Sequence, residues 1–155
     1  MEIEDDLISL KLPDATQEES IIKVIGVGGG GSNAVNHMFR QGIHGVEFVV
    51  CNTDIQALRQ SRVKNRIQLG KELTEGRGAG CQPERGRLSA IESMDFIKTI
   101  LEHNTRMVFI TAGMGGGTGT GAAPEIARQA KELGILTIGI VTVPFSFEGK
   151  RKIEQ

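Results

Sequence analysis

The sequence feature that most constrains the fold is the glycine tract at residues 113–121, which reads GMGGGTGTG. It follows an apolar run at 107–111 and precedes a helical pattern at 122–133. A glycine tract between a buried strand and a helix lets backbone N–H groups approach an anion closely. The helix N-terminus adds partial positive charge, and Thr118 and Thr120 add hydroxyl donors. The tract therefore predicts a loop that binds a di- or triphosphate, rather than a flexible linker.

The composition indicates a globular domain without a membrane span. The chain has 155 residues, 39% hydrophobic and 24% charged, and no stretch reaches the about 20 apolar residues that cross a bilayer. Two cysteines, Cys51 and Cys81, are too few for a disulfide framework and lack zinc-ligand spacing. A net charge of −1 with neither Trp nor Tyr argues against nucleic acid as a partner. We therefore expect a cytoplasmic protein that does not insert directly into membranes.

Negative charge is concentrated at the N-terminus. Residues 1–20 contain seven acidic residues and one lysine, a net charge of −6. This segment predicts a solvated, disordered acidic tail, whereas residues 21–155 form the predicted domain. A helical pattern starts at Lys150 and is unfinished at Gln155. We therefore expect the chain to be the N-terminal part of a longer domain, ending within a helix.

Apolar segments typical of buried strands alternate with helical patterns along the chain. The predicted strands cover residues 21–27, 46–51, 66–69, 107–111 and 135–143. Such alternation requires right-handed crossovers between parallel strands. The predicted fold class is therefore α/β, a three-layer, Rossmann-like parallel sheet with helices on both faces.

The predicted helices follow the strands. After a glycine turn at 28–31, the first helix is expected to begin at Ser32 or Asn33 as N-cap. A short helix is expected at 55–60, and a longer one begins at Pro83, a residue that suits the first helical turn. The expected inner face of that longer helix consists of Leu88, Ile91, Met94, Ile97 and Leu101.

The unusual loops all follow predicted strands. They cover residues 28–31, 52–54, 70–80, 113–119 and 145–148. In an open parallel sheet, ligands bind outside the carboxyl ends of the strands, which share one edge. The five loops should therefore converge and form a nucleotide pocket.

Two classes of nucleotide fit the first glycine loop. Residues 26–31 satisfy the dinucleotide pattern G-x-G-x-x-G, and Asp54 follows the second strand, where a ribose-binding acid would lie. These features favour an NAD(P)-binding oxidoreductase. The second glycine tract favours a triphosphate instead, because a dinucleotide fold needs only one glycine turn. The sequence has no G-x-x-x-x-G-K-[ST], so backbone dipoles and Mg²⁺ must neutralise the phosphates.

The heptapeptide GGGTGTG at 115–121 is similar to the signature of the tubulin/FtsZ family, and its surroundings resemble the bacterial cell-division GTPases of that family. The other segments that carry the resemblance are 25–33, 52–58, 78–84 and 144–149. The likeness runs from about Ile22 to the end of the chain. It implies the family's GTPase-domain fold, binding of GTP or GDP, and Mg²⁺ as a cofactor.

The resemblance implies roles for the matching positions. The first phosphate loop would consist of Gly29, Gly30, Gly31, Ser32 and Asn33. Asn52 and Asp54 would lie near the phosphates and Mg²⁺, without a direct metal ligand in this chain. Ala79 and Gly80 would face the γ-phosphate and sense GTP against GDP.

The same resemblance extends to the second tract and to the ribose. The α- and β-phosphates would be wrapped by Gly116, Gly117, Thr118 and Gly119. Glu148 would bind the ribose hydroxyls, and Lys152 stands where the family often has an assisting arginine. Lysine keeps the positive charge but lacks the planar guanidinium fork.

The resemblance also implies what the intact protein does. It would assemble head to tail into filaments, hydrolyse GTP to GDP and phosphate at the subunit interface, and form the ring at the mid-cell division site. The base-reading residues, the catalytic acidic loop and the region that binds division-ring proteins would lie beyond Gln155. Residues 1–155 alone are therefore expected to hold the phosphates and ribose without appreciable GTPase activity. A non-hydrolysing scaffold of the same superfamily remains an alternative.

Overall fold

The structure, a computed structural model, describes residues 20–155. The predicted acidic tail lies outside the described residues, apart from Ser20. The described part of the chain folds around five strands: β1 (Ile22–Val27), β2 (Glu47–Asn52), β3 (Asn65–Gln68), β4 (Met107–Gly113) and β5 (Leu136–Thr142). All neighbouring strands are parallel. The predicted parallel sheet is therefore confirmed.

The strand order in the sheet is β3-β2-β1-β4-β5. The chain runs from β1 outward to β3 and then returns to the other side of β1 with β4. The sheet thus has its topological switch point between β1 and β4, whose carboxyl ends lead into the two glycine tracts. A crevice forms at such a point because successive crossovers go to opposite faces of the sheet.

Helices cover both faces of the central strands. The helices are α1 (Gly28–Arg40), α2 (Ile55–Gln60), α3 (Lys71–Thr74), α4 (Pro83–Glu92), α5 (Met94–Glu102), α6 (Thr118–Glu132) and α7 (Lys150–Glu154), with a 3₁₀ turn at Ser146–Glu148. On one face, Val35 of α1 and Leu58 of α2 pack with Val24 and Val50. On the other face, Ile126 of α6 belongs to the larger core cluster. Two cores on opposite faces confirm the three-layer architecture.

The first glycine run is helical, so the prediction of a turn capped by Ser32 or Asn33 is wrong. Helix α1 begins at Gly28, and Val27 is its N-cap. The helix starts immediately after the strand because glycine allows close backbone approach. A Cβ on Gly31 would overlap the Thr111 carbonyl oxygen of β4.

The second tract is also partly helical. Helix α6 begins at Thr118, four residues earlier than the predicted start at Ala122. The N–H of Gly121 bonds to the carbonyl of Gly117 at 3.1 Å. A Cβ on Gly121 would overlap the carbonyl oxygen of Pro83. Helix α4 lies so close to α6 that the glycines are buried in a helix–helix contact, which supplies the stability that their low helix propensity lacks.

The predicted long helix from Pro83 is two helices, divided at Ser93. The Ser93 hydroxyl accepts a hydrogen bond from the N–H of Gly70 at 3.0 Å and donates to the carbonyl of Gln68 at 3.3 Å. Leu88 and Ile91 are 41% and 44% exposed, so their predicted core positions are wrong. The face of α4 that is buried consists of Gly86, Ser89 and Ala90. Gly86 lies against the start of α6, where a Cβ would overlap the Gly117 carbonyl oxygen, whereas Ser89 lies against Gly70. Ile97 and Leu101 of α5 are buried as predicted.

Strand β5 differs from the other strands because both of its faces are largely exposed. Leu136, Ile140 and Val141 are 57%, 56% and 49% exposed. The prediction of helices on both faces is confirmed for the sheet, and β5 is its exposed edge within the described residues. Helix α6 packs against part of β5, and no described helix covers the rest.

Candidate functional site

The two glycine tracts meet at the switch point. A Cβ on Gly28 would lie 2.9 Å from the backbone nitrogen of Gly119, and one on Gly30 would lie 3.3 Å from Gly113. Because α1 begins at Gly28 and α6 at Thr118, two helix N-termini adjoin. Their unpaired N–H groups and partial positive charges favour an anion at this place.

Three glycines on three different segments face open space. A Cβ built on Gly29, Gly80 or Gly116 would meet nothing within 4 Å. Other glycines of the same loops are packed against backbone, as Gly31 and Gly117 are. Packed and open glycines therefore alternate, so that some positions bring the loops together while others leave bare backbone facing the crevice.

The loop after β2 is held by its own side chains. The Asn52 side-chain oxygen accepts from the N–H of Asp54 at 3.2 Å. Asp54 in turn caps α2, because its Oδ1 accepts from the N–H groups of Gln56 at 2.8 Å and Ala57 at 3.3 Å. Asp54 is therefore an N-cap, and its second carboxylate oxygen is not used in the cap.

Thr53 connects this loop to the second glycine tract. Its hydroxyl is 2.6 Å from the hydroxyl of Thr118, and both side chains are buried. Its carbonyl accepts from the N–H of Gly78 and from the hydroxyl of Thr74, each at 3.3 Å. Sequence reasoning does not single out Thr53, because a buried threonine between two polar residues carries no signal of its own.

The loop after β3 lies against the same tract. A Cβ on Gly117 would lie 2.8 Å from the side chain of Ala79 and 2.9 Å from the N–H nitrogen of Gln82. Asp54 and Arg77 form an antiparallel bridge, so this loop also pairs with the loop after β2. Ala79 is buried beside the tract, whereas Gly80 is exposed at the open side.

Glu148 and Lys152 lie after β5, and each is partly exposed. Glu148 accepts from the N–H of Phe145 at 3.0 Å and from the Lys152 ammonium at 3.2 Å. These two partners, the backbone N–H first, lower the pKa of Glu148 below its usual range. The Lys152 backbone lies next to Gly115, where a Cβ would be 2.9 Å from the Lys152 carbonyl oxygen. The last loop is thereby attached to the second glycine tract.

The described residues form no group of three or more His, Cys, Asp or Glu side chains that could hold a metal ion. Mg²⁺ commonly binds through one or two carboxylates together with substrate phosphates and water. Asp54 supplies one such carboxylate, next in the chain to Thr53, whose hydroxyl meets Thr118 of the second tract. The residues therefore fit Mg²⁺ held jointly with a nucleotide, rather than a cage made by the protein alone.

Two residues of the predicted first phosphate loop also border a second pocket. Ser32 and Asn33 line a pocket between α1 and α2, together with Gly29. The Ser32 hydroxyl oxygen is buried and has no hydrogen-bond partner. The structure thus brings the loops at 28–31, 52–54, 79–80 and 113–119 together at the switch point, while Ser32 lies on the side of α1 that borders α2.

Two helix N-termini rich in glycine, at the switch point of a parallel sheet, are the arrangement of nucleotide-binding α/β proteins. The model of the tubulin/FtsZ family, GTPase domain, matches residues 21–155. The chain therefore belongs to the tubulin/FtsZ family.

The most informative relatives carry the name "Cell division protein FtsZ". The protein of Porphyromonas gingivalis is 57% identical over 154 residues, which cover 99% of this chain and 34% of the relative. That of Aquifex aeolicus is 60% identical over 134 residues, covering 86% of this chain and 36% of the relative. The chain thus spans about a third of the length of these relatives.

Solved structures agree with this assignment. The structure described as "FtsZ dimer, empty (M. jannaschii)" matches with a TM-score of 0.83 and 44% identity, covering 88% of this chain and 40% of that one. A GTPγS-bound protofilament of CetZ2 from Haloferax volcanii, at 24% identity and a TM-score of 0.76 over 84% of this chain and 42% of that one, shares the fold. Among the described helices, none is both long and apolar enough to span a membrane.

Proposed function

We propose that this chain is the phosphate- and ribose-binding part of a GTP-binding, filament-forming cell-division GTPase. The observation that carries the proposal is the meeting of α1 and α6 at the switch point, where Gly28 lies against Gly119. Open glycines surround this contact on three segments. Family membership selects GTP and GDP from the nucleotides that such a site could bind.

The phosphates would lie over the two helix N-termini. The N–H groups around Gly29, Gly30 and Gly31 would bind them from one side. From the other side they would be bound by the groups around Gly116, Gly117, Thr118 and Gly119. The γ-phosphate would face Ala79 and Gly80, since this loop borders Gly117. A change in that loop would then distinguish GTP from GDP.

Glu148 would bind the ribose hydroxyls, with Lys152 beside it. The pKa of Glu148 is lowered by Phe145 and Lys152, so its carboxylate stays ionised and accepts hydrogen bonds. Mg²⁺, when bound, would neutralise charge on the phosphates. Asp54, whose backbone N–H donates to the Asn52 side chain, would lie near the ion and add negative charge without ligating it directly.

Hydrolysis requires water to attack the γ-phosphate in line, in a reaction that depends on positioning and electrostatics. Among the residues named for the site, Asp54 caps α2 and Glu148 is paired with Lys152. Asp54 lies beside the loop that contains Ala79 and Gly80, but its carboxylate is engaged in the cap of α2. We therefore expect residues 1–155 to bind nucleotide without turning it over, as the catalytic carboxylates would come from another region and the next subunit.

In the intact protein, the partner would be another copy arranged head to tail. Such contacts are heterologous and do not close, so open filaments form. These filaments would build the ring at the mid-cell division site, where further division proteins would bind to regions outside this chain. The structure described as an FtsZ dimer is a relative of this chain, and its self-association supports the proposal.

Equilibrium binding of a fluorescent GDP analogue to the purified chain tests this function. We expect saturable binding that GTP and GDP displace and that NAD⁺ does not. Release of phosphate from GTP should stay at the buffer background. Displacement by NAD⁺ alone would overturn the proposal in favour of a dinucleotide-binding oxidoreductase. GTP turnover by this chain would overturn the proposal that the catalytic carboxylates come from another region and the next subunit.

A further inference from the structure

A polar groove of about 310 Å³ lies between α1 and α2. Its polar lining consists of Ser32, Asn33, Asn36, Arg40, Gln60 and Arg62. Among the described residues, no part of the 113–119 tract or the 79–80 loop contributes to it. The groove therefore adjoins the crevice between α1 and α6 and shares Gly29 with it, while its other lining residues lie outside the glycine tracts.

The base of the groove contains an unsatisfied polar atom. Ser32 is 7% exposed, and its hydroxyl oxygen has no hydrogen-bond partner. A buried hydroxyl is destabilising unless a ligand or water satisfies it. In a helix, a serine hydroxyl commonly bonds to the carbonyl four residues earlier, yet Ser32 makes no such bond to Gly28. The hydroxyl is available to a molecule in the groove.

The rest of the lining supplies hydrogen-bond donors and positive charge. Arg40 and Arg62 are exposed, and neither forms an ion pair within residues 20–155. The Asn36 side-chain oxygen accepts from the Ser61 hydroxyl at 2.6 Å, which leaves its amide nitrogen as a donor. No acidic residue lines the groove. The lining is thus arranged for an anion.

We propose that the α1–α2 groove is a second binding site, for a small phosphate monoester. The guanidinium groups of Arg40 and Arg62 match phosphate oxygens in bidentate geometry. Ser32 donates from the base of the groove. The side-chain amides of Asn33, Asn36 and Gln60 bind the polar body of the ligand. The volume of about 310 Å³ is at the lower end of the range for small-ligand sites, which suits a small phosphate monoester.

Titration of inorganic phosphate into the GDP-saturated chain tests the site, with chloride holding the ionic strength constant. The side-chain amide signals of Asn36 and Gln60 in ¹H–¹⁵N spectra are the readout. We expect saturable shifts, and the double variant Arg40→Gln, Arg62→Gln should weaken binding at least about tenfold. Ser32→Ala should weaken it about threefold, through the loss of one neutral donor.

Arg59→Gln is the control for the single variant Arg62→Gln, because each removes one positive charge and Arg59 lies nearby, in α2, but outside the lining. It should leave the phosphate affinity within a factor of about two. An equal loss of phosphate affinity in Arg59→Gln, or amide-signal shifts that never saturate with phosphate, would overturn the proposal. Both outcomes indicate general electrostatic attraction. Phosphate binding without GDP binding would support the groove while contradicting the proposed nucleotide site. GDP binding without phosphate binding would support the proposed nucleotide site and overturn the proposed phosphate site in the groove.

Discussion

The centre and the edge of the sheet are built differently. Val49 and Val50 of β2 are fully buried, whereas Leu136 and Ile140 of β5 are more than half exposed. The phosphate loops start from central strands and are packed against one another through Gly28, Thr53 and Gly117. Glu148 and Lys152, which are proposed to bind the ribose, lie at the exposed edge. The comparison teaches that this chain fixes the loops proposed to bind phosphate by internal packing, while Glu148 and Lys152 depend mainly on local hydrogen bonds.

The largest contrast is expected between two glycine-to-alanine variants. In Gly121→Ala, the added methyl group would overlap the Pro83 carbonyl oxygen in the α4–α6 contact, and overpacking of this kind should cost about 3 kcal/mol. In Gly139→Ala on β5, the methyl group meets nothing within 4 Å, and the change should stay within about 0.5 kcal/mol. Urea unfolding followed by circular dichroism measures both. Similar losses of unfolding free energy in the two variants would contradict the expectation that packing is tight at Gly121 and open at Gly139.

The second contrast concerns two ion pairs. Lys23 is fully buried and pairs with Glu47, which also accepts from Asn65 at 2.7 Å. Glu47→Gln leaves the Lys23 ammonium buried without a counter-charge, and we expect a loss of about 2 kcal/mol, reduced from the usual value because Glu47 is partly exposed.

The matched variant at the edge is Glu148→Gln, which breaks the exposed pair with Lys152. We expect no measurable change in its unfolding midpoint, because exposed pairs contribute little. Urea unfolding at pH 7 compares the two. An unfolding midpoint for Glu47→Gln equal to that of the parent chain would show that the pair of Lys23 and Glu47 does not stabilise the fold.

Thr53 provides a test within the site itself. Thr53→Val keeps the shape but leaves the Thr118 hydroxyl without its partner, and we expect nucleotide affinity to fall about fivefold, as for the loss of about 1 kcal/mol. Thr53→Ser keeps the hydroxyl and should retain the affinity within a factor of about two. Displacement of a fluorescent GDP analogue measures each. Equal affinities of the Val and Ser variants would mean that the hydroxyl pair does not position the loops.

The smallest effect is expected at the two thiols. Burial raises the pKa of Cys51 to about 12, whereas Cys81 is exposed. At pH 8, iodoacetamide should modify one thiol per folded chain and two in urea. A raised pKa in the folded state stabilises the protein fully below pH 9.0, and this contribution falls as the pH rises from there toward about 12. Modification of both thiols at equal rates in the folded chain would show that Cys51 is accessible.

Much of the fold follows from the sequence because its signals are local. The apolar runs predict all five strands, within two residues at each end. The parallel order then brings the loops at Gly28, Asn52, Gly80 and Gly116 to one edge, since parallel strands share their carboxyl ends. The GGGTGTG heptapeptide and the four further segments that carry the resemblance indicate the family, which the family model confirms.

Tertiary contacts decided the rest. Helices α1 and α6 begin inside glycine tracts, because packing against β4 and α4 compensates for glycine's low helix propensity. Leu88 and Ile91 face outward, since close approach to α6 selects Gly86 and Ala90 for the contact. Periodicity states which residues are apolar, but only the neighbouring element determines which of them are covered. The role of Thr53 also cannot be predicted from local sequence patterns, because its hydroxyl partner lies 65 residues away along the chain.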